Sequence, residues 1–316
     1  MDHLGKDTNM RRREIFLCVA LVAASWMPAP AQMVAVASPS GGQQSAASIP
    51  DFSGIWAHPF LTGFEPPAIG PGPVRNRSRR RDGVGNFQQL VGDYTNPILR
   101  PEAAEIVKQH GDLSLSGVGY PTPSNQCWPG GVPYIFWDFL VEMFQQPDHI
   151  TMIYRHGDEV RRVRIDQPHP AHVTPSWYGD SIGHYEGDTL VIDTVGIKKG
   201  PFAMLDMYGT PFTDKLHVVE RYRLVDYAAA KDALDRNDKE NSHAGGAWDF
   251  DPNYRGKVLQ LQFTVEDEGV FTTPWMATIT YRPAVDPWIE LICAENQHEY
   301  FNNRDSRVPT TDKPDF

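Results

Sequence analysis

The chain has little cysteine: three residues in 316, Cys18, Cys127 and Cys293. No two of them form a C-x-x-C pair, which removes the thiol spacing of structural zinc sites and of thioredoxin-like redox motifs. Metal-binding H-E-x-x-H and H-x-H motifs are absent from the sequence, as are the glycine-rich loops that cradle phosphates or dinucleotides. Positive charge is scarce as well. Against 40 Asp and Glu stand 29 Lys and Arg, a formal net charge of −11, which argues against nucleic acid or an anionic membrane surface as partner. Apart from one run near the N-terminus, no stretch approaches the roughly 20 apolar residues of a transmembrane helix. Internal repeats are missing, and strands do not alternate with helices in the rhythm of a parallel sheet.

What is present begins with an export signal. Arg11, Arg12 and Arg13 precede an apolar run at residues 15–27, and small-residue A-x-A sites follow at 29–31 and 35–37. The run is too short to span a hydrocarbon core of about 30 Å. Residues 1–37 are therefore expected to be a signal-peptide region and 38–49 a flexible Ser/Gly/Gln-rich leader. Residues 50–316 are expected to form a single β domain, periplasmic or secreted, with no transmembrane span. In an oxidising compartment the two remaining cysteines, Cys127 and Cys293, are expected to pair. The chain-entropy model values a bridge over so long a loop at about 5 kcal/mol. The basic cluster Arg75, Arg77, Arg79, Arg80 and Arg81 sits in a Gly/Pro-rich stretch and reads as a solvated loop.

Periodicity favours strands. Residues 134–145, 149–155, 159–166, 180–197 (a hairpin), 216–225, 257–266, 275–282 and 288–295 alternate or carry β-branched and aromatic residues between turn signals. One short helix is expected at 101–109, with proline at its first position and Gly111 as a stop. The segment 226–256 is polar and reads as a surface insertion with a helical turn or two. About nine strands joined by short connections need a closed barrel or two packed sheets to hide their edges. The opening Gly54-Ile55-Trp56 resembles the Gly-x-Trp of lipocalin-like barrels. The fold expected is all-β, an antiparallel lipocalin-like barrel, with a β-sandwich as the alternative.

The hairpin at 180–197, turning at Glu186-Gly187-Asp188, holds the densest set of candidate site residues. Alternation puts Asp180, Ile182 and His184 on one face, with Asp180 and His184 about 13 Å apart. On the outgoing strand Val191 and Asp193 share a face. His217 lies on a charged strand, where either face could line a cavity and cross-strand ion pairs on the solvent side are the ordinary alternative. His169 sits in a proline-rich turn, Asp166-Gln-Pro-His-Pro170, as a candidate acid–base group. The candidate catalytic set is thus His184 as proton-transfer group, Asp180 or Asp193 as its polariser, and His169 and His217 beside them. Trp177, Tyr185 and Trp275 are expected to supply aromatic walls. Neither a metal nor a cofactor is expected. Nucleophilic hydrolysis is disfavoured, since neither cysteine has an obvious histidine partner and no strand–turn–helix nucleophile elbow is expected.

The ordered series PDFSGIW, CWPGGVP, DQPHP, SWYGDSIGHYEGDTLVIDTVG, LHVVERYR, DPNY, PWMATITYRP and CAEN resembles a large group of exported bacterial β-proteins whose function is mostly unassigned. The EGDTLVIDT segment is the most specific part. Members of that group usually carry D-G-R-x-H-P where this chain has Asp166-Gln-Pro-His-Pro170, so an arginine is missing at that turn. The resemblance implies an exported β-protein and carries over no catalytic residue. The function expected is binding of a small aromatic or lipophilic compound, with cofactor-free lyase, isomerase or hydratase chemistry. The alternative is a non-catalytic periplasmic binding protein.

Overall fold

A computed structural model of the protein describes residues 49–240, 250–285 and 288. Nine strands close into one barrel in sequence order, so the barrel expectation holds and the sandwich does not. They are β1 (Gly54–Ala57), β2 (Leu140–Gln145), β3 (His149–Tyr154), β4 (Glu159–Ile165), β5 (Asp180–Glu186), β6 (Thr189–Val195), β7 (His217–Asp226), β8 (Lys257–Glu266) and β9 (Trp275–Pro283). Trp56 and Ala57 pair with Pro283 and Arg282 to close the ring. Because β1 is so short, the irregular segment after it finishes the free edge of β9. Glu65 exchanges backbone bonds with Thr278, and Met276 N–H donates to the Pro71 carbonyl, so no row of ladder groups is left bare there. Among the described residues no helix is long and apolar enough to cross a membrane.

Three local expectations need correction. β4 and β5 run parallel, with Val163 opposite Ser181 and Ile165 opposite Gly183, whereas a wholly antiparallel meander is what the short connections suggest. The proline-rich stretch between them is long enough to travel back along the barrel, so β5 enters at the same end as β4. Residues 134–137 form a 3-10 turn, not a strand. Tyr134, Ile135 and Phe136 are all buried in succession, which a strand exposing alternate residues cannot do. The insertion also holds a full helix, α2 (Tyr227–Glu240), and α1 spans Pro101–Leu115. Ala230 and Leu234 of α2 pack on Val258, and Arg282 makes a two-pronged ion pair with Asp238 at 2.9 and 2.8 Å. The expected strand at 288–295 lies outside the described residues, apart from Trp288.

The barrel is filled rather than hollow. Met143, Met152, Val163, Ile165, Leu190, Ile192, Leu261, Phe263, Ile279 and Tyr281 are all buried in its core. Among them sits a charge pair. Arg161 and Glu220 are 1 % and 0 % exposed, and the guanidinium donates to both Glu220 oxygens at 2.6 and 2.8 Å. It also donates to Ser181 Oγ at 3.0 and 3.1 Å and to Thr194 Oγ1 at 2.7 Å. Tyr222 adds a bond to Glu220 at 3.0 Å. The network thus ties β4, β5, β6 and β7 together from inside. Removing one partner leaves a buried charge uncompensated, which typically costs about 3–5 kcal/mol, while an apolar pair of similar volume is often neutral. Arg161→Met is therefore expected to lower unfolding free energy in urea by about 3–5 kcal/mol, and Arg161→Met with Glu220→Leu to recover most of that loss.

Candidate active cleft at the barrel mouth

Inward and outward faces alternate along β4, so the phase that buries Arg161 also turns Glu159 inward at the strand's start. There it meets Asp138, just before β2, and His156, just after β3. Together with Ser124, Trp128, Gly130, Tyr134, Ile135 and Trp137 these line a cleft of about 230 Å³. Glu159 accepts the Gly130 N–H on both oxygens at 2.9 and 3.2 Å and bonds the Tyr178 hydroxyl. Burial pushes its carboxyl up to about 8. Asp138 is 3 % exposed, and burial pushes it up to about 7. One of its oxygens accepts the His156 backbone N–H at 2.6 Å; the other has no hydrogen-bond partner among the described residues. Burial lowers the His156 imidazole, keeping it neutral. Tyr134 stacks edge-on with Trp137 at 5.9 Å, and burial raises its phenol to about 12.

A second cleft, of about 280 Å³, shares the Trp128 wall and is lined by Trp177, Lys198, Phe202, Met204 and Phe212. Trp128 meets Trp177 at 5.2 Å and Phe202 at 5.9 Å, both edge to face. The Lys198 ammonium lies 4.6 Å above the Trp177 ring, a cation–π contact. Gly200 is required here: a Cβ would strike the Trp177 ring at 2.7 Å.

Four of the five candidate catalytic residues do converge, but on the outer wall of the barrel. His169 Nδ1 lies 2.6 Å from Asp180 Oδ1, and its Nε2 lies 2.9 Å from Asp193 Oδ1. His217 Nε2 reaches Asp193 Oδ2 at 2.9 Å, and Arg164 clamps Asp180 with two bonds of 2.8 and 2.9 Å. Asp180 is held below the ordinary carboxylate range by Arg164 and then His169. Asp193 is lowered by His217 and then His169, against some burial. His184 is not among them. It is half exposed and pairs with Glu186 at 3.1 Å, because four residues of strand separate it from Asp180. That placement sets His184 apart from the other four.

The aromatic set divides in the same way. Trp177 lines the second cleft. Tyr185 lies near the opposite end of β5, its hydroxyl accepting from Gln145 at 3.0 Å. Trp275 is buried against Phe263 and Phe271, too deep to wall an open site. The spacing Gly-x-Ser-x-Gly does occur at residues 179–183. Ser181 is mid-strand and buried under Arg161, the opposite of an exposed elbow nucleophile. His156 and Glu159 escaped the sequence reading because they sit at a turn and a strand start, and Asp138 because it fell inside the strand expected at 134–145, whereas β2 begins only at Leu140. The expected Cys127–Cys293 pairing cannot be placed, since Cys293 lies outside the described residues. No protein-family model, no curated protein and no solved structure matches the chain.

The raised carboxyls dictate a pH dependence. A folded-state value above the unfolded one favours the native state at low pH and loses that advantage as pH rises through the folded value. For Asp138 and Glu159 that window runs from the ordinary 3.8 and 4.5 up to about 7 and about 8. Buried His58, His110 and His156 act oppositely, but only below their unfolded 6.5. His217, raised by Asp193, adds to the loss at high pH. Thermal stability is thus expected to fall between about pH 6.5 and 8. Asp138→Asn keeps the acceptor for His156 N–H and is expected to flatten that fall measurably in thermal scans.

Proposed function

We propose that the mouth cleft performs cofactor-free acid–base chemistry on a small aromatic or lipophilic molecule, as a lyase, isomerase or hydratase. The observation that carries this is that Glu159 and His156 line one cleft with Trp128, Tyr134 and Trp137, where burial raises the carboxyl to about 8 and lowers the imidazole. Such a pairing places an acid and a base within one site at the same pH. In this reading Glu159 donates a proton to the ligand's oxygen or unsaturated carbon. His156 takes one from the neighbouring position, so no redox partner or nucleophile is needed. Asp138 is a positioning residue that fixes the His156 turn. Trp128, Tyr134 and Trp137 supply the aromatic wall of the cleft, the apolar lining that ligand sites usually pair with a few polar groups. Lys198 in the adjoining cleft would receive an anionic substituent.

A panel of plant-derived aromatics, aryl carboxylates and terpenoids, followed by mass spectrometry, tests the proposal. Turnover is expected to fall about 100-fold in Glu159→Gln, the scale of losing a general acid, and to persist in His184→Ala. The aromatic walls also favour a second reading, non-catalytic binding. That reading predicts saturable tryptophan quenching with every ligand recovered unchanged, and Glu159→Gln altering affinity only.

Export to the periplasm or beyond belongs to the same proposal, supported by the arginine-led apolar run and the motif resemblance. So does the Cys127–Cys293 disulfide. Cys127 closes the 3-10 turn at Ser124–Gln126 in a left-handed conformation, directly before Trp128, the wall common to both clefts. A bridge there would anchor that wall. Thiol titration of the denatured, unreduced mature protein is expected to find no free thiol; two free thiols would remove the bridge.

A further inference from the structure

The crossover between β4 and β5 is anchored at its two ends by backbone. Asp166 N–H donates to the Gly183 carbonyl at 2.8 Å, and Ser176 N–H to the Gly196 carbonyl at 3.1 Å. Between those anchors, among the described residues, side chains fasten it to the wall. Arg164 reaches the Pro168 carbonyl at 3.4 Å, and Val173 closes over Gly196, where a Cβ would meet its methyl at 2.3 Å. The strongest tie is His169, whose ring is inserted between two carboxylates at 2.6 and 2.9 Å.

Both nitrogens of that ring face carboxylate oxygens. A neutral imidazole carries a single N–H, so it can satisfy one neighbour and must turn a lone pair on the other. Only the imidazolium donates to both. The surroundings keep the two carboxylates ionised: Arg164 of β4 clamps Asp180 on β5, and His217 of β7 donates to Asp193 on β6. Glu266 of β8 stands 3.6 Å beyond His217. Asp166 and His172 are the other titratable groups of the crossover, and both are exposed.

We propose that His169 is a proton-operated latch: charged, it bridges Asp180 and Asp193 and fastens the crossover to the barrel wall, and on losing its proton it releases one of them and frees the segment. Closing takes up a proton, so the latch is favoured as pH falls and opens as pH rises. The segment leads straight into Trp177 and Tyr178, so opening also loosens the approach to the two clefts. The latch itself does not depend on the cleft being catalytic.

Amide hydrogen exchange of the full mature chain, read on the hydrogen-bonded amides of Asp166, Ser176 and Gly179 at about pH 5.5 and about pH 8 and corrected for intrinsic rates, tests this. Protection is expected to drop about tenfold at the higher pH, the scale of losing one charge-assisted hydrogen bond. His169→Gln should exchange fast at both values, and His172→Gln should keep the wild-type response. Nitrogen NMR of the unmodified protein should show both His169 ring nitrogens protonated at the lower pH. Equal protection at both values, a response that survives in His169→Gln or vanishes in His172→Gln, or a singly protonated His169 ring at the lower pH would each overturn the latch.

Discussion

The Arg161–Glu220 pair is the constraint on which both polar regions depend. A strand's side chains alternate between faces, so fixing one fixes all. Arg161, Ser181, Thr194 and Glu220 meet inside the barrel and thereby set the phase of four consecutive strands. Glu159, two residues before Arg161, must then point inward at the mouth. Arg164, Asp180, Asp193 and His217 lie at odd spacings from the interior four and must point outward. One buried network therefore yields a set of desolvated acids at the mouth and a chain of ion pairs on the wall.

The two sets show how environment divides identical chemistry. Glu159 and Asp138 lose water, and burial outweighs the backbone donors and, for Asp138, the nearby Arg155, so their neutral forms are favoured. Asp180 and Asp193 gain arginine and histidine donors while staying near solvent, so their charged forms are favoured. The first arrangement suits proton donation to a bound molecule. The second suits holding a segment in place. Neither needs a metal ligand set, and among the described residues no cluster of metal-binding geometry occurs.

Much of the fold was legible in sequence, because alternation in β8 is clean and the turn residues stand where the chain reverses. The convergence of Asp180, Asp193, His169 and His217 was legible as a list, though not as a wall: parity sorts residues into two faces without saying which one is inside. Arg161 settles that question, and an arginine at the centre of a barrel contradicts the usual assignment of charge to solvent. The mouth was illegible for another reason. Asp138, His156 and Glu159 come from three strand ends, and their shared property, loss of solvent, arises only when Trp128, Tyr134 and Trp137 close over them. The parallel entry of β5 and the length of α2 were hidden in segments whose polar composition reads as loop.

The central claim is that carboxyl groups at the barrel mouth keep their protons near neutral pH. Infrared spectroscopy of the mature protein reads this directly through the carbonyl stretch of protonated carboxylic acids. At about pH 6.5, where exposed carboxylates are ionised, the account predicts absorption from protonated acids that loses one component in Glu159→Gln and another in Asp138→Asn. It also predicts that both disappear as pH is raised beyond about 8, the upper end of the range in which burial holds Glu159 protonated. A spectrum at about pH 6.5 with no protonated carboxylic acid, or one unchanged by both substitutions, would contradict it.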